Sequence, residues 1–77
     1  MINILFFAHL QEVVGHEKLE LNIAPLKVKE LKQHLVTTYG LNRVDQIMFA
    51  INEEYANDEE MINHGDTVAL IPPVSGG

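Results

Sequence analysis

Apolar and polar positions alternate with different periods along the chain, and each period predicts a type of secondary structure. Short runs of Ile, Leu, Val and Phe, or an alternation with period two, are typical of strands. Apolar spacings of three and four residues indicate helix. The sequence therefore predicts strands over residues 2–7, 18–23, 47–51 and 67–71, a short helix over 9–14 and a main helix over 28–39.

Glycine and proline mark the ends of several of these elements. Gly15 and Gly40 each follow a helical pattern and suit the left-handed conformation that ends a helix. Pro72 and Pro73 end the last strand, because proline cannot donate a hydrogen bond to a sheet. No Ser, Thr, Asp or Asn directly precedes Val28, so the pattern identifies the main helix but not its first turn.

The order of elements predicts an α+β fold of the β-grasp, ubiquitin-like type. One main helix covers only one face of a sheet, so we expect a mixed sheet curled around that helix. The first and last strands are apolar on both faces and are predicted to lie side by side, buried in the middle of the sheet. Residues 1–73 should form one domain, and residues 74–77 a flexible, extended tail.

Composition excludes several classes of function. The chain has 77 residues, 5 basic against 11 acidic, and no cysteine, which excludes disulfides, thiolate metal sites and a catalytic thiol. A net charge of −6 disfavours nucleic acid and anionic membranes as partners and suits a basic protein surface. The apolar opening segment lacks the features of a signal peptide or membrane span, which predicts a cytoplasmic protein.

Side chains offer little for catalysis. The four histidines show no metal-ligand spacing, so we expect no metal site, and no Gly-rich phosphate loop or activated nucleophile is present. The acidic segment, residues 53–60, is predicted to be a turn region with a short edge strand around Tyr55. Its carboxylates could form a metal or acid/base site, but the pattern favours a solvated turn or, after that, an electrostatic docking surface for a partner.

The C-terminal residues Val74, Ser75, Gly76 and Gly77 offer a different chemistry. After two rigid prolines, four extended residues reach roughly 13–14 Å, and a terminal glycine carboxylate is unhindered. Adenylation by ATP would activate this carboxylate toward a sulfur donor and produce a thiocarboxylate. The chain has no ATP motif, so other proteins would supply that step; a frayed, chemically idle tail is the alternative.

These residues resemble a known family over the whole chain. The chain is similar to the small subunits of molybdopterin synthase (MoaD), which belong to the ubiquitin-like sulfur carriers. The resemblance is carried by Leu5-Phe6-Phe7-Ala8 with Glu12 and Gly15, by Asn52 with Tyr55, and above all by the block Gly65-Asp66-Thr67-Val68-Ala69-Leu70-Ile71-Pro72-Pro73-Val74-Ser75-Gly76-Gly77.

The resemblance implies a chemical cycle. Gly77 would be adenylated by an E1-like enzyme of the MoeB type and converted to a thiocarboxylate by a sulfur donor. The tail would then enter the large subunit (MoaE-like) of a heterotetramer and give its sulfur to cyclic pyranopterin monophosphate. The chain itself would bind no cofactor, and the catalytic site would lie on the large subunit.

The same resemblance suggests which residues contact these partners. The candidates are Phe7, Ile71, Pro72, Pro73, Val74 and Ser75, with Gly76 and Gly77 at the reacting end. Phe7 lies at the end of an apolar strand, so it is either an interface residue or part of the core.

Three other functions stay open. A thiamine-pathway sulfur carrier also has a β-grasp fold and a Gly-Gly end, although the Pro-Pro-Val-Ser sequence and the helix after the first strand favour molybdopterin. A β-grasp binding module with an idle tail is the second. An enzyme acting alone is the third, and it lacks a side-chain constellation.

Overall fold

A computed structural model of the chain describes residues 1–73. Its strands are β1 (Ile2–Phe6), β2 (Lys18–Leu21), β3 (Leu26–Lys27), β4 (Met48–Ile51), β5 (Glu54–Tyr55), β6 (Met61–Ile62) and β7 (Thr67–Ile71). Its helices are α1 (Leu10–Val14) and α2 (Val28–Tyr39), followed by a 3-10 turn at Val44–Gln46. The predicted tail, residues 74–77, lies outside the described residues.

The sheet is mixed, as the sequence predicts. Its strand order is β2-β1-β7-β4-β5, with β1 parallel to β7 and every other neighbouring pair antiparallel. The first and last strands therefore lie side by side within the sheet, which confirms that prediction. β3 and β6 form a separate two-stranded sheet that the sequence analysis missed, since two residues are too few to show a period.

The core lies between α2 and one face of the five-stranded sheet. Val28, Leu31 and Leu35 of α2 are fully buried and belong to one cluster with alternate residues of β1 and β7. Burying each such side chain contributes about 1.5–3 kcal/mol. The prediction that β1 and β7 are buried on both faces was wrong, because only every second residue of either strand is buried.

Two strands end earlier than predicted. β1 ends at Phe6, since the Phe7 carbonyl accepts a hydrogen bond from the Leu10 amide and the chain turns toward α1. β2 ends at Leu21, because Leu21 pairs with Ile2, the first residue of β1. No residue of β1 is left to pair with residues 22 and 23.

β4 also begins later than predicted, at Met48 rather than residue 47. The Ile47 amide donates a hydrogen bond of 3.1 Å to the Val44 carbonyl and so closes the 3-10 turn. The short edge strand predicted around Tyr55 is confirmed as β5, which pairs with β4.

The acidic segment caps the N-terminus of α2. The Val28 amide donates to the Glu60 carbonyl, and the Lys29 amide donates to the Asp58 carbonyl, each at 3.0 Å. A helix leaves its first four amides without partners inside the helix, and here a distant part of the chain supplies acceptors for two of them. This explains how α2 begins without a Ser, Thr, Asp or Asn before it.

Ion pairs hold the acidic segment against the same end of α2. Glu59 accepts hydrogen bonds of 3.0 Å from both Lys27 and Lys29, and Asp58 pairs with Lys32. The bonds from Lys27 and then Lys29 hold the pKa of the Glu59 carboxyl below its usual range. Part of the acidic segment, for which a solvated turn or a docking surface was expected, is therefore engaged within the molecule.

Candidate functional site

The face of the five-stranded sheet opposite α2 is partly exposed and apolar at its centre. Pairing places Leu5 of β1 beside Ala69 of β7, and Met48 of β4 beside Ile71 of β7. We call this surface the open sheet face; its apolar members are Leu5, Phe7, Met48, Tyr55, Ala69 and Ile71. An exposed apolar surface with a polar rim is typical of a protein interaction site.

Phe7 belongs to the open sheet face and not to the core. Its side chain is 44% exposed, whereas that of Phe6 is 1% exposed. Phe7 lines a shallow depression of about 430 Å³ together with Leu5 and Ala69. The alternative that Phe7 is a core residue is therefore wrong, because alternation along the strand gives the core position to Phe6.

The base of the tail lies beside this face. Ile71, the last residue of β7, is half-buried, Pro72 is buried, and Pro73 is exposed. The chain thus leaves the sheet directly from a strand whose side chains Ala69 and Ile71 lie on the open sheet face. The candidates Val74, Ser75, Gly76 and Gly77 lie outside the described residues.

A polar network fixes the turn after β4 to the start of β7. Asn52 has a left-handed backbone conformation, with φ 50°. Its backbone amide donates a hydrogen bond of 2.8 Å to the Thr67 carbonyl, and its side-chain oxygen accepts one of 3.0 Å from the Thr67 amide. The Asn52 side-chain nitrogen donates to Asp66 at 3.0 Å, and Asp66 accepts from the Asn63 amide at 2.8 Å.

This network gives a structural role to Asn52 and Asp66, two of the residues that carry the resemblance to the sulfur-carrier family. Asn tolerates positive φ better than most residues and also provides a donor and an acceptor. Asn52 and Asp66 therefore position one end of the open sheet face. A single sequence gives no signal for this pairing, since the two residues lie 14 positions apart.

Acidic side chains border the open sheet face at the β4–β5 turn. Glu53 lines the depression beside Phe7, and Glu54 begins β5; both are exposed. Neither makes an ion pair within residues 1–73, in contrast to Asp58 and Glu59. Of the acidic side chains in residues 53–60 that make no ion pair within residues 1–73, those that border the open sheet face are therefore Glu53 and Glu54.

Within residues 1–73, no group of three or more His, Asp or Glu side chains is arranged to hold a metal ion. No helix in this part of the chain is long and apolar enough to span a membrane.

Comparison with known proteins assigns the fold and the family. The family model described as the ThiS family matches residues 4–77. The molybdopterin synthase sulfur carrier subunit of Escherichia coli (strain K12) is 33% identical over 81 residues, covering 100% of both chains.

Two solved structures are similar in fold. SAMP1 from Haloferax volcanii superposes with a TM-score of 0.84 at 31% identity, over 99% of this chain and 98% of that one. A chain from the complex of subunits 1 and 2 of the molybdopterin-converting factor of Helicobacter pylori 26695 superposes with a TM-score of 0.70 at 26% identity, over 99% and 97%. The chain belongs to the ThiS family and is a homologue of the sulfur carrier subunits of molybdopterin synthase.

Proposed function

We propose that this chain is the sulfur carrier subunit of a molybdopterin synthase. The observation that carries the proposal is the full-length similarity to the Escherichia coli sulfur carrier subunit. It is supported by geometry: the exposed Phe7 and the half-buried Ile71 belong to an apolar surface next to Pro73, where the tail begins. A carrier needs both parts, a surface for docking and a terminus that enters another active site.

The proposed reacting group is the carboxylate of Gly77. Its oxygen attacks the α-phosphorus of ATP and displaces pyrophosphate, which produces an acyl adenylate. A sulfide-level sulfur donor then attacks the acyl carbon and displaces AMP, leaving a thiocarboxylate. An E1-like enzyme would provide the adenylation site, because the described residues hold no phosphate-binding loop. The chain would bind no cofactor and would not be an enzyme on its own.

The open sheet face is the proposed docking surface for the large subunit. The structure from Helicobacter pylori is that of a complex of subunits 1 and 2. Phe7 and Ile71 would pack against the partner, and Pro73 would direct Val74–Gly77 into its active site. There the thiocarboxylate sulfur would displace an oxygen substituent from a carbon of cyclic pyranopterin monophosphate, and water would then cleave the acyl–sulfur bond, which leaves the sulfur on the pterin and restores the Gly77 carboxylate. Aromatic side chains in such positions often supply most of the binding energy.

Intact-mass spectrometry tests the proposal directly. The chain is incubated with an E1-like adenylating enzyme, ATP and a sulfur donor, and the mass is measured before and after. We expect a gain equal to the exchange of one oxygen for one sulfur, mapped to Gly77. A variant with one alanine added after Gly77 should fold normally and gain no sulfur. Equal loading of this variant would contradict the proposal.

Genetic complementation separates the two sulfur-carrier functions. We expect the chain to restore the activity of a molybdenum enzyme in a strain lacking its own carrier subunit, and not to restore thiazole synthesis. The opposite result would identify a thiamine-pathway carrier. Restoration by the alanine-extended variant would indicate a binding module with an idle tail.

A further inference from the structure

A second concave surface lies at the base of the tail, on the side of α1 and the C-terminal end of α2. It encloses about 260 Å³. We call it the tail-base groove; its main lining residues are Leu10, Val13, Leu41, Arg43, Ile47 and Pro73. Leu10, Leu41 and Ile47 are buried and form its floor.

The rim of the groove combines an apolar wall with a positive charge. Val13, on α1, is 48% exposed although it is an aliphatic residue on a short helix. Arg43 is exposed and has a positive φ of 53°, a backbone conformation that costs a non-glycine residue about 1–2 kcal/mol. The fold thus places an arginine at a strained turn beside an apolar cleft.

Arg43 differs from most of the other cations in this acidic chain. Lys27, Lys29 and Lys32 all pair with carboxylates, whereas Arg43 has no carboxylate within 4.0 Å among residues 1–73. Its near neighbour Asp45 lies 3.8 Å from the Lys32 nitrogen. Among residues 1–73, no carboxylate side chain lines the groove. Within the described residues, the charged side chain that lines the groove is thus an arginine, on a molecule with a net charge of −6.

We propose that the tail-base groove receives an acidic segment of the large subunit, with a carboxylate on Arg43 and apolar side chains over Val13 and the floor. This inference rests on the proposed function, and it adds a second contact that the open sheet face does not provide. Pro72 and Pro73 line the groove and directly follow Ile71 of the open sheet face, so a partner that holds the tail lies close to both surfaces. An arginine fork pairs with a carboxylate through two parallel hydrogen bonds.

A role in binding the activating nucleotide fits the geometry less well. Arg43 lies at the base of the tail, and four residues in an extended conformation would carry the terminal carboxyl roughly 13–14 Å from Pro73. The phosphates that react with that carboxyl would then be distant from the groove. A single arginine above an apolar floor also offers few donors to a triphosphate. A protein carboxylate beside apolar side chains matches both features of the groove.

Calorimetric titration of the purified chain with the large subunit tests this inference. We expect Arg43→Glu to weaken binding about tenfold or more at about 50 mM salt, with a smaller effect at about 500 mM. Val13→Glu, which places a carboxylate in the groove wall, should also weaken binding about tenfold. The matched control is Lys29→Glu, which makes the same change in net charge at the opposite end of α2; it should change affinity by less than about threefold.

The outcomes separate this inference from the proposed function. If the wild-type chain binds the large subunit and accepts sulfur, but both groove variants bind like wild type, the groove inference is wrong and the function stands. If the wild-type chain neither binds nor accepts sulfur, the proposed function itself fails. An equal loss of affinity in Lys29→Glu would show that net charge, and not the groove, causes the weaker binding, and it would overturn the inference.

Amide chemical shifts identify the occupant of the groove. With the isotope-labelled chain and the unlabelled large subunit, the amides of Val13, Leu41 and Arg43 should shift together with those of the open sheet face. Shifts confined to the open sheet face would contradict the inference. Concentration-dependent shifts of the same three amides in the free chain would place a second copy there, and shifts with ATP alone would place the nucleotide there; either result would overturn it.

Discussion

At the scale of single residues, neighbouring side chains of the same type have opposite roles because they lie on opposite faces of a strand. Phe6 is 1% exposed and packs in the core, whereas Phe7 is 44% exposed beside Leu5 and Ala69. The two positions differ by one residue in a period of two, so composition alone cannot distinguish them. Phe6 therefore contributes to the core, and the proposed function assigns Phe7 to partner binding.

The pair provides a matched test. We expect Phe6→Ala to lower the free energy of unfolding by about 3–5 kcal/mol, because it leaves a cavity in the core. Phe7→Ala should lower it by less than about 1 kcal/mol, since the side chain is largely in solvent, while weakening the affinity for the large subunit by about tenfold or more. Urea unfolding and calorimetric titration of both variants measure the two effects. A large loss of stability in Phe7→Ala would contradict this assignment.

At the scale of elements, the start of α2 depends on a segment that follows it by about thirty residues. The Asp58 and Glu60 carbonyls accept from helix amides, and Glu59 binds Lys27 and Lys29. Lys32 also covers the Phe49 ring, with its nitrogen 5.4 Å from the ring centroid. The acidic segment is therefore part of the helix terminus, a role that its composition does not reveal.

The lowered pKa of Glu59 predicts a pH-dependent contribution to stability. Because this pKa is lower in the folded chain than in the unfolded chain, the charged carboxylate stabilises the fold at neutral pH, and the contribution is lost as the pH falls through the folded-state pKa. Glu59→Gln should lower the urea midpoint slightly at neutral pH. As the pH falls, the midpoints of Glu59→Gln and wild type should become equal. The effect is small because the pair is exposed.

Glu60→Gln is the control for this experiment. Only the backbone carbonyl of Glu60 contributes to the helix terminus, and its side chain makes no ion pair within residues 1–73. Its urea midpoint should follow that of wild type across the whole pH range. A constant difference between Glu59→Gln and wild type, independent of pH, would show that the ion pairs are not its cause.

At the scale of the whole molecule, charge is distributed unevenly around the proposed interaction surfaces. Glu53 and Glu54 border the open sheet face at one end, whereas Arg43 lies at the tail-base groove. The net charge of −6 implies attraction to a basic partner, and this arrangement limits how the two proteins can be oriented. Such charges act mainly on the rate of association and less on the lifetime of the complex.

Charge reversal at the β4–β5 turn tests this steering. We expect Glu53→Lys combined with Glu54→Lys to lower the association rate with the large subunit about tenfold at low salt, and less at high salt. Stopped-flow mixing measures the rate. Glu17→Lys combined with Glu60→Lys makes the same change in charge at exposed positions outside the proposed surfaces and should have a smaller effect. Unchanged rates in the first variant would show that the turn does not steer the partner.

Much of the fold could be predicted because its determinants are local. The stripe from Val28 to Tyr39 identified α2, and the β-formers from Thr67 to Ile71 identified β7 with both ends correct. The ends of β1, β2 and β4 could not be predicted, since pairing partners and the 3-10 turn decide them. The cap of α2 and the Asn52 network were missed because both join segments far apart in the chain.

By itself, the sequence determined the order of the elements, the helix and strand periods, the acidic charge and the C-terminal residues on which the proposed chemistry rests. The tertiary structure decided which face of the sheet is open, that Phe7 belongs to it, and that Arg43 stands beside a groove at the base of the tail. The reason is physical. Periodicity is a property of neighbouring residues, whereas a surface is formed by strands and turns that only folding brings together.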